Sequence, residues 1–335
     1  MKVDAVLTWD LEKAGNEARE LEEMGYAGLK TIETAHDPFL PLVAAAQSTS
    51  RIDLTTGIAV AFARSPMTLA NVGHDLNAAS KGRHILGLGS QIRPHITKRF
   101  SMPWSAPAKR MREMVLAMRA IWANWHDGEQ LEFVGEFYSH TLMTPFFTPT
   151  NTDYGPPRVY LAAVGPKMTE VAGEVADGIL VHGFTTRAYL EQVTLPCLEK
   201  GLAKAGKSRS DFEIAYPVFS ATGRDDKELQ ASRKKLREQI AFYGSTPAYK
   251  GVLDSVGAGE LQPELNAMSK QGRWQEMGDL IDDSLFDKFA VVGDAKQLAK
   301  QIQQRFGDIV DRTAASYAEM DRQAKIDFID ALRSS

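Results

Sequence analysis

The sequence predicts an α/β protein whose strands close into a single (β/α)8 barrel. Three observations lead there. Short apolar runs alternate with helical spacings about eight times along 335 residues, the number of steps a closed parallel barrel requires. The apolar runs are mostly continuous, as strands covered on both faces are. The turn after the first run reads Thr8-Trp9-Asp10-Leu11. Without a Gly-x-Gly-x-x-Gly there, an open dinucleotide-binding sheet loses its main support.

Taken in order, Val3 to Thr8 is strand one. Leu11, Ala14, Ala18, Leu21 and Met24 then recur at helical spacing, and Gly25 stops the helix. Gly28 to Ile32 is strand two and Phe39 to Ser48 a helix. Leu54 to Ala61 is strand three, Pro66 to Ser80 a helix that opens on proline, and His84 to Gly89 strand four. A polar stretch over 91–107 follows. The next helix carries Met111, Met114, Val115, Met118, Ile121, Trp122 and Trp125 on one face, with arginines and Glu113 opposite. A buried core face accounts for that stripe.

Residues 126–156 break the alternation. Phe133, Phe137, Tyr138, Phe146 and Phe147 stand among Gly, Thr, Asn and Pro, which reads as an extended excursion with a hairpin. Alternation resumes with Arg158 to Ala163, a helix from Pro166, a strand to His182, a helix from Thr186 to Ala205 and a strand from Phe212 to Phe219. A helical region spans 226–243 and a partly helical insertion spans 246–285. Asp294 to Phe306 is a helix, Ile309 to Tyr317 the last strand and Asp321 to Leu332 the closing helix. No repeat or low-complexity linker divides the chain. It is read as one domain, 1–335, with insertions at 91–107, 126–156 and 246–285.

The composition narrows the function. Net charge is −4, and a weakly acidic chain without basic blocks argues against nucleic acid as the main partner. The single cysteine, Cys197, cannot form an internal disulfide, which suits a reducing cytoplasm. No apolar run reaches the roughly 20 residues of a membrane helix. The first residues lack the basic start and apolar core of a secretory signal. The expectation is a cytoplasmic protein acting on a small molecule, with no membrane partner.

Chemistry in such a barrel sits where the strands end. The candidates are therefore Glu33, His36 and Asp37 after strand two, and Arg64 after strand three. Gly89, Ser90 and Gln91 follow strand four, Val164 to Lys167 follow strand five, and His182 ends strand six. His-Asp-Pro at 36–38 is either a surface turn or a proton-donating pair. Val164-Gly165-Pro166-Lys167-Met168 is either an ordinary proline-capped turn or an anion site at a helix start. His74, His84, His126 and His140 read as structural or solvated. No His-Glu-x-x-His, paired-cysteine or clustered-carboxylate pattern suggests a metal, and no Gly-x-Ser-x-Gly suggests a serine hydrolase.

Two stretches carry a resemblance. PMTLANVGHDLNAASKGRHILGLG, from Pro66 to Gly89, resembles the bacterial luciferase-like family, and so does VGPKMTEVAGEVADGI, from Val164 to Ile179. Together with the early Glu-x-x-His-Asp-Pro-Phe turn, Phe100 to Trp104 and Arg110 to Glu113, they look most like the deazaflavin (coenzyme F-420)-dependent branch. The resemblance implies a flavin or deazaflavin across the C-terminal mouth. It implies a phosphate loop at Val164, Gly165, Pro166, Lys167 and Met168, and ring-flanking contacts from Gly89, Ser90 and Gln91. It also implies a cis non-proline bond behind the ring, expected at Ala59–Val60, and a homodimer.

His36 and Asp37 are the expected catalytic residues, Arg64 and His182 the expected pocket lining, and 91–107 and 126–156 the expected cover. The sugar-phosphate dehydrogenases of this family carry an Asp-His pair and a later glutamate. Here Pro38 stands at the histidine position, and Ile92 and Arg93 where the glutamate would be, so glucose-6-phosphate is not an expected substrate. Hydride transfer between F-420 and a small, fairly apolar organic substrate is the leading expectation. An FMN-dependent monooxygenase and a non-catalytic cofactor-binding member are the alternatives.

Overall fold

A computed structural model describes residues 1–314 and 320–334. In chain order its strands are β1 (Lys2–Val6), β2 (Gly28–Thr31), β3 (Asp53–Thr56), β4 (Ala59–Val60), β5 (His84–Gly89), β6 (Phe133–Val134), β7 (Ser139–His140), β8 (Arg158–Ala163), β9 (Gly178–Val181), β10 (Glu213–Tyr216), β11 (Phe219–Ala221), β12 (Ala290–Val292) and β13 (Arg312–Ala314). Parallel pairings run β1–β2–β3–β5–β8–β9–β10–β13 and back to β1. The ring is closed. β4 continues the path of β3 along β5, with Ala59 and Val60 opposite Leu88 and Gly89. Taking β3 and β4 as one interrupted strand gives the predicted eight.

The alternation arises locally. Asp10 accepts the Glu12 amide and Ser65 forms a reciprocal cap with Thr68, so helices start where the strands let go. Gly25, at φ 95°, ends the first helix in the left-handed conformation that costs glycine least. The helix Pro107–Asp127 buries the whole predicted stripe from Met111 to Trp125, and the Trp122 indole donates to the Ala70 carbonyl at 3.2 Å. β6 and β7 form the expected hairpin. The 246–285 segment is more regular than expected, with helices at Lys250–Asp254, Leu261–Lys270 and Trp274–Asp279. These pack with Asp226–Gly244 around a second core that contains Ile240, Leu265, Met277, Phe286 and Phe289. The last strand is shorter than the predicted Ile309–Tyr317. Ile309 and Val310 lie in the approach to Arg312, and 315–317 lie outside the described residues.

The barrel floor is ionic. Arg312, 2% exposed, enters the lumen from β13 and reaches Asp4 on β1 at 3.3 Å, Asp53 on β3, and Glu213 on β10 at 3.7 Å. Arg158 binds Asp53 at 2.7 Å, Lys2 binds Glu213 at 2.5 Å, and the Tyr160 hydroxyl donates to Glu213. Burial opposes ionisation of Glu213, yet Lys2, Tyr160 and Arg312 bring its pKa down to about 2. His84 points out of the lumen, fully buried, with Nδ1 2.8 Å from the Leu54 carbonyl, and burial drives its pKa down to about 4.

Arg312→Met leaves Asp4 without its cation and removes one partner each from Asp53 and Glu213. It is expected to cost about 3–5 kcal/mol, as breaking a buried ion network does, measured by urea unfolding. A loss below 1 kcal/mol would show that the floor does not hold the ring. The pH dependence has a definite sign. His84 and Glu213 both titrate lower when folded, so the stability they confer is present above their ordinary pKa values of 6.5 and 4.5 and is lost as pH falls toward about 4 and about 2. Calorimetry is expected to show melting temperature falling below pH 6.5, with a smaller His84 share in His84→Asn.

Candidate active site

The ends of the strands gather the candidate residues at one rim. Beyond β8 the chain turns at Gly165, an extended residue that caps the helix Pro166–Val175. The Thr169 amide and hydroxyl both donate to the Gly165 carbonyl at 3.1 Å. The amides of Lys167 and Met168 belong to the first turn, which has no carbonyl inside the helix to receive them. A Cβ at Gly165 would meet nothing within 4 Å, and Pro166 and Lys167 are exposed. The turn therefore presents free donors and a cation to open space, the arrangement that receives an anion. The Tyr189 hydroxyl holds it from behind by donating to the Val164 carbonyl at 3.0 Å.

Gly89, Ser90 and Gln91 lie alongside on the neighbouring strand. Gly89 is required by its surroundings, because a Cβ there would stand 2.9 Å from the Ile58 side chain and 3.5 Å from that of Ala162. The Ser90 hydroxyl donates to the Gln91 carbonyl, and Gln91 takes a left-handed φ of 56°. The cis non-proline bond is at Gly57–Ile58 and not at the expected Ala59–Val60. Ala59 and Val60 are fully buried and paired with β5, which demands ordinary extended backbone, so the irregularity falls in the gap between β3 and β4.

A buried strut joins β2 to β4. Glu33, 7% exposed, accepts the Val60 amide at 2.6 Å and Arg64 Nη1 at 2.7 Å. Arg64 also donates to the Val60 carbonyl at 3.1 Å and to Asp37 at 3.2 Å, and lies 5.3 Å over the Phe39 ring. Arg64 was expected in the pocket lining; its Nη1 is committed to the strut. Asp37 and Arg64 do border an open cleft of about 730 Å³. Asp37 also accepts the Phe39 amide at 2.8 Å, so its carboxylate shapes the turn. His36 is exposed and stacks on Trp9, ring centres 4.0 Å apart and planes 9° apart. Glu33 was a candidate by position without an assigned role, and Trp9 was absent from the expected site. Both follow a barrel strand directly, and that position was the available signal.

His182 stands on the far side. Its Nδ1 accepts the Phe184 amide at 3.0 Å, which leaves the proton on Nε2. Tyr243 and Tyr249 enclose the ring at 4.6 and 5.0 Å, and burial pushes its pKa down to about 4. At neutral pH it is an uncharged donor. Over the rim, Arg99 from the 91–107 segment donates to the Thr34 carbonyl. The hairpin is pinned by Glu113, which accepts the amides of Glu136, Phe137 and Tyr138 at 2.9, 2.6 and 2.6 Å. Its Tyr138 reaches Arg110 at 2.8 Å, and Arg110 lies 4.6 Å over Phe62 beyond β4.

This geometry has relatives. The profile of a family described as luciferase-like monooxygenase matches residues 5–312. The chain belongs to the luciferase-like monooxygenase family. An uncharacterized protein of Mycobacterium tuberculosis is 55% identical over 93% of this chain and 92% of its own. The 5,10-methylenetetrahydromethanopterin reductase of Archaeoglobus fulgidus is 29% identical over 77% of this chain and 75% of its own. Among solved structures, the coenzyme F420 dependent tetrahydromethanopterin reductase from Methanopyrus kandleri superposes with a TM-score of 0.77 at 19% identity, covering 99% of this chain and 96% of its own. That last likeness concerns the fold. The members of this family are enzymes, oxidoreductases and monooxygenases.

NMR titration of the His182 ring is expected to give a midpoint near 4 and, at pH 7, the Nε2-protonated neutral form. A midpoint above 6 would mean that Tyr243 and Tyr249 do not enclose it.

Proposed function

We propose that this protein transfers hydride between coenzyme F-420, a deazaflavin, and a small organic substrate. The observation that carries the reading is the open helix start at Gly165–Met168, set beside Gly89–Gln91 at the mouth of a barrel shared with a reductase described as F420 dependent.

The residues present fit such a group. The Lys167 and Met168 amides and the Lys167 ammonium would hold its phosphate. Gly89, Ser90 and Gln91 would flank its ring, with Ala59 and Val60 behind, where Ala59 and Val60 leave no side chain larger than valine. The deazaflavin supplies the hydride-accepting and hydride-donating carbon. The chain supplies orientation, a proton and a dry site. His36, held flat by Trp9, is the proton-exchanging group at the rim. Asp37 keeps its carboxylate toward Arg64 and so orients the loop that carries His36. His182, neutral and donating from Nε2, would bind a substrate oxygen.

Fluorescence titration of the purified chain tests the reading. F-420 is expected to bind in the micromolar range, with FMN weaker. Micromolar FMN binding without F-420 binding would replace the reading with a flavin-dependent monooxygenase. Lys167→Glu is expected to weaken F-420 about tenfold or more, as reversing a phosphate-facing charge does, with unfolding unchanged because Lys167 is exposed. His36→Gln is expected to lower turnover about 100-fold, the scale of lost proton transfer, while cofactor affinity holds.

A further inference from the structure

The lumen between the ionic floor and the mouth holds two polar groups that nothing above uses. Gly28 faces the lumen, since a Cβ there would collide with Asp4 and Arg312. Lys30 lies two residues further along β2 and faces the same way. Its stem packs 3.4 Å from the Cβ position of Gly57, and it stands in register with Val6 and Thr55. Thr55 lies two residues above Asp53, which meets Arg312 across the lumen. Thr55 is 5% exposed, and its hydroxyl has no hydrogen-bond partner. Among the described residues no hydrogen bond or ion pair engages the Lys30 ammonium either.

Arg312 and Lys30 lie in the lumen with Asp4, Asp53 and Glu213, and Lys2 and Arg158, 46% and 37% exposed, reach in from its N-terminal end. All three carboxylates are already met by Lys2, Arg158 and Arg312. Among the described residues Lys30 is left without a carboxylate partner. Burial lowers the pKa of its amine and the charge of Asp4 opposes that. A buried hydroxyl and a largely enclosed amine without partners each carry a desolvation cost that a ligand would remove. Ala162, Ala215 and Ala314 each sit two residues above a floor residue, Tyr160, Glu213 and Arg312, and place only a methyl group over it.

We propose that Lys30 and Thr55 form a receptor for one carboxylate, and that the small-molecule substrate carries this group. The second half rests on the reading of the mouth as a substrate site. Lys30 supplies the charge and Thr55 a hydrogen bond, and a monoanion meets the unpartnered ammonium.

Acetate, with acetamide as its uncharged counterpart, is the probe, added to the full chain without cofactor and followed by the amide NMR signals of Lys30 and Thr55. Acetate is expected to shift both saturably, with acetamide at least about tenfold weaker, the scale of a charge-assisted hydrogen bond. Lys30→Met is expected to abolish the acetate shift and Thr55→Val to weaken it about threefold to tenfold. If Lys30→Met does not fold by circular dichroism, Lys30→Gln serves in its place with the same expectation. Equal acetate binding in the folded lysine variant, equal response to acetamide, or shifts confined to other residues would each overturn the proposal. The cofactor titration is separate. F-420 binding without acetate binding removes the carboxylate receptor alone, and acetate binding without any cofactor leaves the receptor and removes the redox reading.

Discussion

Arg312 sets the terms for this barrel. A single guanidinium from the last strand reaches carboxylates on β1, β3 and β10 across the lumen. Each carboxylate would be costly to bury alone, and each is tolerated because the arginine and its neighbours Arg158 and Lys2 stand opposite. Such a network is geometric as well as energetic. It is satisfied only when strands far apart in the sequence occupy their places in the ring. It also fills the N-terminal end of the barrel with charged side chains.

The other end is built from two kinds of support. On the β2–β4 side, Glu33 ties the Val60 amide to Arg64, and Arg64 reaches on to Asp37. The loop that carries His36 is thereby fixed to the strand behind it. On the β8–β9 side the support is apolar and distant in sequence. Tyr243 and Tyr249 come from the region with its own hydrophobic core, packed behind Phe184. A wall with a separate core can be rigid without any help from the barrel, and it keeps water from His182, whose low pKa follows.

The candidate site was legible wherever function follows from position along one strand and its turn. Gly165 and Lys167 open a helix at a strand end, and that much can be read from Pro166 and the apolar run before it. Arg64 was found by the same rule, but its partners Glu33 and Val60, 31 and 4 residues away, were not legible from its position. Trp9 passed unremarked although it follows β1 as His36 follows β2. Only the ring stack between them shows that the two belong together. The irregular peptide fell two residues from its expected place because strand register, not composition, decides which residues of β3 and β4 must stay extended.

By itself the sequence determined the barrel, the alternation of its elements, the buried face of the helix Pro107–Asp127 and the family's helix-start turn. These are local matters: the period of apolar residues, caps within a few positions, and glycine where a strand ends. Only the tertiary structure decided what fills the lumen. Asp4, Lys30, Asp53, Glu213 and Arg312 read in sequence as scattered charges on short strands. Closing the ring turns their side chains onto one axis, where water is scarce and each charge must answer to another. Which are paired and which is left over depends on distances across the barrel, and no spacing along the chain encodes them.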